Sequence, residues 1–126
     1  MVVDTGILIE HLRAKNKLAT SLYLIPDDSE LFISTISLYE LYMGATTSEK
    51  EKDAEDLAAD FSILPFTAAA AVKAAEIYRQ LKKTNKLIEF RDIFIAATCI
   101  VNDLPVATLN KKHFERIEGL NVANIQ

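Results

Sequence analysis

Four short runs of β-forming residues, at positions 1–3, 31–34, 62–66 and about 105–108, are separated from one another by long stretches with helical spacing. No other feature restricts the fold as strongly. Strands divided by helices do not pair as tight hairpins; each connection is long enough to cross over and return in the same direction. The pattern predicts an α/β domain: a central, mainly parallel sheet of four to five strands with helices on both faces. A fifth strand is expected near "LNVANI", residues 120–125, and Pro65 places the third run at an edge or a strand end. In such sheets, sites form beyond the carboxyl ends of the strands. Asp4 lies just past the first run and Asn110 just past the fourth.

The intervening helices read as follows. Residues 6–13, "GILIEHLR", carry apolar Ile7, Leu8 and Leu12; a second helical stretch covers about 18–25 and stops at the turn-forming Pro26-Asp27-Asp28. In "STISLYELYMGA", Ser37 and Glu40 have the spacing of a capping box. Ile36, Glu40, Met43 and Gly44 alternatively share one helical stripe, which sets Glu40 on an apolar face. "SEKEKDAEDLAADF" is amphipathic through Ala54, Leu57, Ala58 and Phe61, and its charged side is a solvated face. Thr67 is expected to cap an alanine-rich helix running to about residue 85, with Ala71, Ala74, Ala75, Tyr78 and Leu81 as its apolar stripe. "EFRDIFIAATCIVND" is apolar nearly all round, with Asp92 in its first turn, and "KKHFERI" is a short polar helix.

The 126 residues are expected to form one domain, 1–126. A net charge of −4 argues against a simple polyanion binder, but not against an enzyme whose metal ion neutralises phosphate. There is no glycine-rich phosphate loop and no cysteine pair for zinc. The single Cys99 lies in an apolar segment and reads as a buried small hydrophobe, consistent with a reducing, cytoplasmic setting. No secretory signal is read, and the apolar runs are too short to span a membrane. His11 and His113 have no triad around them; His11 reads as a surface residue, and His113 as exposed on the short C-terminal helix or, as the lesser alternative, close to a site.

What remains is a set of acids in apolar company: Asp4, Glu40 and Asp92. Each has a local explanation. Asp4 is placed to cap the first helix, Glu40 to complete a capping box, and Asp92 to complement a helix dipole. Jointly they suggest more. Buried carboxylates are costly unless paired or bound to a cation, and three that converge cannot all stay ionised unaided. A hard divalent ion such as Mg²⁺ or Mn²⁺ resolves both problems, because it favours carboxylate oxygens.

Three segments, "VDTGILIEHLR", "STISLYELYMGA" and "RDIFIAATCIVNDLPVATLNKKHF", resemble the signature blocks of the PIN-domain family, in order and over nearly the whole chain. Within it the chain is most similar to the small VapC-type toxins of toxin–antitoxin pairs. The resemblance implies a PIN-like three-layer α/β/α sandwich. It implies a metal-dependent endoribonuclease that hydrolyses RNA phosphodiester bonds with a metal-activated water, with Mg²⁺ or Mn²⁺ as cofactor. By the same resemblance Asp4, Glu40 and Asp92 match the family's first three acids and metal ligands, and Thr5 and Thr108 match small hydroxyl positions that support them. The family commonly has a fourth acid near "TLNKKHF"; this chain has Asn110 there, which offers a carbonyl oxygen but no charge, and His113 nearby. Gly6 stands where the family more often has Ser or Asn. A homodimer and a VapB-type antitoxin that blocks the site with a basic side chain are further implications. The apolar segment "IFIAATCIV" is compatible with a dimer interface.

Basic residues give secondary support. Arg79, Lys82, Lys83, Lys86 and Arg91 crowd one stretch; Lys111, Lys112 and Arg116 follow Asn110. Such groups hold phosphates by charge, or form the wet sides of two helices. Arg91, beside Asp92, is the best single candidate for substrate binding, followed by Lys111 and Lys112. Tyr39 and Tyr42, flanking Glu40, read as core or interface residues. The alternative to an enzyme is a catalytically weak PIN-like module that binds RNA or protein without cutting. A small metal-dependent phosphatase is disfavoured because Gly6 stands where a second acid is needed.

Overall fold

A computed structural model describes residues 1–26 and 28–125, so Asp27 of the expected turn lies outside the described residues. The strands are β1 (Val2–Val3), β2 (Phe32–Ser34), β3 (Ser62–Leu64) and β4 (Val106–Ala107). The helices are α1 (Thr5–Arg13), α2 (Ser21–Leu24), α3 (Thr35–Gly44), α4 (Ser48–Ala58), α5 (Ala68–Lys83), α6 (Phe90–Val101) and α7 (Lys111–Phe114). All pairings are parallel, in the order β3-β2-β1-β4. The expected fifth strand shrinks to one parallel bridge, Val106 with Val122.

Register explains the layers. Val2 aligns with Phe32 and with Val106, and Val3 with Ala107. Successive strand residues point to opposite faces. Val2, Phe32 and Val106 therefore pack into one core with Ile77, Leu81, Ile93, Ala97 and Phe114, from α5, α6 and α7. Val3, Ile33 and Ala107 pack into the other with Ile7, Leu8, Leu41, Ala54 and Leu57, from α1, α3 and α4. The result is a three-layer α/β/α arrangement in which each fully buried Ile or Leu contributes about 1.5–3 kcal/mol.

The connectivity fixes where a site can form. The chain steps from β1 to β2 to β3, then returns through α5 and α6 to place β4 on the far side of β1. The strand order therefore reverses between β1 and β4, and it is at such a reversal, beyond the carboxyl ends of the strands, that open parallel sheets form a crevice. Those ends carry Asp4 and Thr108.

Local details depart from the sequence reading at a few places. The stretch 18–25 splits into a 3₁₀ turn at Lys17–Ala19 and the short α2. Ser34, not Ser37, caps α3, accepting from the Ser37 amide at 3.1 Å, so no Ser37–Glu40 capping box exists. The helix begins three residues earlier than that box requires. Thr67 does cap α5, but its buried residues are Ala70, Ala74, Ile77 and Leu81. Ala71, Ala75 and Tyr78 are left exposed on one wall of a groove shared with Phe66, Phe90 and Phe94. Tyr39 and Tyr42 are exposed too. In α6, residues Ile93 and Ile95 to Cys99 are consumed by the chain's own core, leaving Phe90 at its start in solvent. No described helix is long and apolar enough to cross a membrane.

Candidate functional site

Asp4 follows β1 directly. Its amide donates to Ala107 O at 2.9 Å, which ties it to β4, and its side chain caps α1 by accepting from the Thr5 amide at 2.8 Å. The capping reading is therefore correct, and it uses only one carboxylate oxygen. The other, Oδ2, accepts from the Thr108 hydroxyl at 2.8 Å. Thr108 is 1% exposed and Asp4 6%. Burial is the main reason the Asp4 carboxyl is pushed up to about 6; the nearby charges of Asp92 and Glu40 add to the rise, and the bonds from Thr108 and Thr5 oppose it. A hydrogen-bonded cap alone would show a fall.

Asp92 enters from the first turn of α6 and is half-buried. Its carboxyl is also raised, by burial first, then by Glu40 and Glu89, with Arg91 acting in the opposite direction. Glu40 comes from the middle of α3. Thr5 Oγ1 lies 2.8 Å from Glu40 Oε1 and 2.8 Å from Ser37 Oγ. One hydroxyl proton cannot serve both; a carboxylate can only accept, so Thr5 donates to Glu40 and accepts from Ser37. Arg91 Nη1 approaches the other oxygen, Oε2, at 3.5 Å. Acids from three elements that are remote in sequence thus act on one another at the crevice.

The donor set suits a hard divalent cation: all oxygen, mutually repelling, partly desolvated. Among the described residues no three His, Cys, Asp or Glu side chains stand in a ready metal-holding group. Glu40 is turned toward Thr5 and Arg91 and would have to leave at least the latter.

Asn110 sits at the entry to α7. Its amide donates to Thr108 Oγ1 at 2.9 Å, and its side-chain nitrogen lies 2.6 Å from His113 Nδ1. His113 is half-buried rather than exposed as expected, and its ring holds the Asn110 side chain. Lys111 and Lys112 line a depression with Thr108, Leu109 and Asn110. His11 is also half-buried, 3.0 Å from the Thr20 hydroxyl, and burial lowers its pKa. Cys99 is buried, its thiol pushed up to about 12 mainly by burial, which leaves it inert as a nucleophile at neutral pH. Two contributors escaped the sequence reading. Ser37, assigned to a cap, instead backs Thr5; its spacing of three from Ser34 was the available signal. The Arg91–Glu40 contact joins residues far apart in the chain and leaves no local trace.

Comparison with known proteins shows the family. Residues 1–120 match the PIN domain model. The ribonuclease VapC10 of Mycobacterium tuberculosis is 36% identical over 120 residues, covering 95% of this chain and 90% of that protein. The ribonuclease VapC1 of Methanocaldococcus jannaschii is 31% identical over 124 residues, covering 97% and 85%. Among solved structures, the DNA-bound VapBC of Salmonella typhimurium superposes with a TM-score of 0.84 at 25% identity, covering 99% of this chain and 97% of that one. The chain belongs to the PIN-domain family and, within it, to the VapC branch.

Proposed function

We propose that this chain is a metal-dependent endoribonuclease, the toxin of a VapBC-type pair, built as one PIN-like domain and working in the cytoplasm. One observation carries the reading. Asp4 is a buried carboxyl, raised to about 6 with Asp92 and Glu40 contributing, and it stands at the topological switch point of a PIN fold.

Asp4, Glu40 and Asp92 would hold Mg²⁺ or Mn²⁺, with the Asn110 carbonyl assisting. When bound, the ion supplies positive charge at the scissile phosphate and acidifies the attacking water. The chain's own residues do the positioning. Thr108 fixes the Asp4 carboxylate through Oδ2, and Thr5, backed by Ser37, fixes Glu40 through Oε1. Arg91, beside Glu40 and Asp92, and Lys111 and Lys112, which share a depression with Thr108 and Asn110, would hold RNA phosphates.

A VapB-type antitoxin completes the reading. The groove between α1, α3 and α4, lined by Ile9, Leu12, Leu41 and Ala54, has Glu40 on its wall and offers a partner segment a route to the acids. The exposed Tyr78 and Phe90, flanking the α5–α6 groove, offer an apolar surface for a homodimer.

The deciding measurement is cleavage of structured and single-stranded RNA with Mg²⁺ or Mn²⁺, with Asp4→Asn alongside. Wild type should cut and the variant should not. If both leave RNA intact, or both cut it equally, the enzyme reading fails. Intact RNA that is nevertheless bound would favour the non-cutting PIN-like module, for which the uncharged Asn110 is the structural argument.

A further inference from the structure

Arg91 places a permanent cation against the chain's own acids. Its guanidinium lies 3.5 Å from Glu40 Oε2, while Oε1 of the same carboxylate takes the Thr5 hydroxyl. Both Glu40 oxygens are thus engaged by groups of this chain, and of the two partners only Arg91 carries a positive charge that repels an incoming cation. The two partners differ in how readily they can leave. Thr5 is 6% exposed, sits in the first turn of α1, and is pinned by Ser37. Arg91 is a long side chain, 38% exposed. Its backbone is held in the first turn of α6, the same turn that presents Asp92. Part-exposed pairs of this length are weak, so this one exchanges easily. The guanidinium does not lose its charge at any working pH, so only a competing cation or a competing anion can displace the contact. A guanidinium leaving Glu40 at the rim of the crevice is within one side-chain rotation of solvent, where its planar fork suits a phosphate.

We infer that Arg91 is an exchangeable counterion. It satisfies Glu40 in the cation-free protein and passes to an RNA phosphate when a divalent cation takes the carboxylate. The same residue then has opposite effects on the two ligands: it competes with the metal and attracts the RNA. The inference rests on Asp4, Glu40 and Asp92 forming the cation site.

Mn²⁺ binding to the purified protein, measured by calorimetry without RNA, reads the first half. Arg91→Ala should bind Mn²⁺ about threefold to tenfold more tightly than wild type, and Arg91→Lys should fall between. Lys73→Ala, an equal loss of charge on the outer face of α5, should leave the affinity unchanged. Steady-state cleavage of a short single-stranded RNA at saturating Mn²⁺ reads the second half. Arg91→Ala should raise KM about threefold to tenfold with kcat within about twofold. Unchanged or weaker Mn²⁺ binding by Arg91→Ala overturns the proposal, and so does an unchanged KM. Equal tightening by Lys73→Ala also overturns it, since net charge would then explain the effect. If wild-type Mn²⁺ binding survives Asp4→Asn, the site reading itself fails, a result distinct from a site that binds Mn²⁺ but ignores Arg91.

Discussion

The Thr108 hydroxyl donates to Asp4 Oδ2 at 2.8 Å, joining residues 104 positions apart at the carboxyl ends of two neighbouring strands. Strand pairing brings them together, since Val3 aligns with Ala107 and each is the next residue along. The bond favours the ionised carboxylate and opposes the rise caused by burial. Thr108→Val keeps the shape and removes the donor. Stability at pH 8 should drop by about 1–2 kcal/mol, and less at pH 5, where Asp4 is protonated. The acid limb of the pH–rate profile should move up by about half a unit or more. An unmoved acid limb would mean that Thr108 does not tune Asp4.

Asp4 costs the fold stability above pH 6. Its folded pKa of about 6 lies above the ordinary 3.8, so the folded chain keeps a proton that the unfolded chain releases. Stability therefore falls as pH rises from about 4 to about 6 and stays low above. The two-unit difference corresponds to at most about 3 kcal/mol. Asp4→Asn should accordingly be more stable than wild type at pH 8 in EDTA, by about 1–3 kcal/mol in urea denaturation, with the gain gone below pH 4. The same variant should be inactive. A variant no more stable than wild type at pH 8 contradicts the assigned burial cost.

Much of this was legible in the sequence because it follows from periodicity. The order of strands and helices, the edge position imposed beside Pro65, and the Thr67 cap are local consequences of residue type. Face selection was harder where side chains are alike. Helix α5 begins Ala68-Ala69-Ala70-Ala71, so alanines mark no face; bulky Ile77 and Leu81 decide the rotation and bury Ala70 instead of Ala71. The Ser37–Glu40 pair had cap spacing, but Ser34 at the end of β2 reached the helix first. The candidate acids were readable as misplaced charges. Their partners were not, because Thr108 with Asp4, Thr5 with Glu40 and Arg91 with Glu40 are contacts made by the sheet order and not by neighbours in the chain.

Helix α7 is too short to hold its own shape, and Phe114 anchors it. That ring is 0% exposed in the core beneath α5 and α6. Asn110, Lys111 and Lys112 ride on this turn. Phe114→Ala should cost about 3–5 kcal/mol. Phe114→Leu fills more of the space and should cost about 1–2 kcal/mol while still folding. The Leu variant should raise KM for RNA and weaken Mn²⁺ binding only slightly, because the three charged ligands Asp4, Glu40 and Asp92 lie on other elements and only the assisting Asn110 rides on the turn. Loss of Mn²⁺ binding in a folded Leu variant would show that the α7 turn supplies a principal ligand.

A cation bound among these acids must stabilise the fold, and the pH dependence of that effect identifies the acids involved. Binding to the folded state alone adds about 2.7 kcal/mol when the free ion stands at a hundred times its Kd. Mn²⁺ should therefore raise Tm at pH 8, and EDTA should reverse the rise. Protons compete for the same oxygens. With Asp4 at about 6, the concentration needed for a given shift should grow roughly fivefold between pH 6 and pH 5, and change little between pH 7 and pH 8. Asp4→Asn removes the raised carboxyl, so it should lose both the Mn²⁺-induced rise and its pH dependence; Glu40→Gln and Asp92→Asn should each weaken the rise. If the Mn²⁺ response is the same at pH 5 and pH 8, the ion binds at surface carboxylates such as those of α4, and the crevice acids are not its ligands.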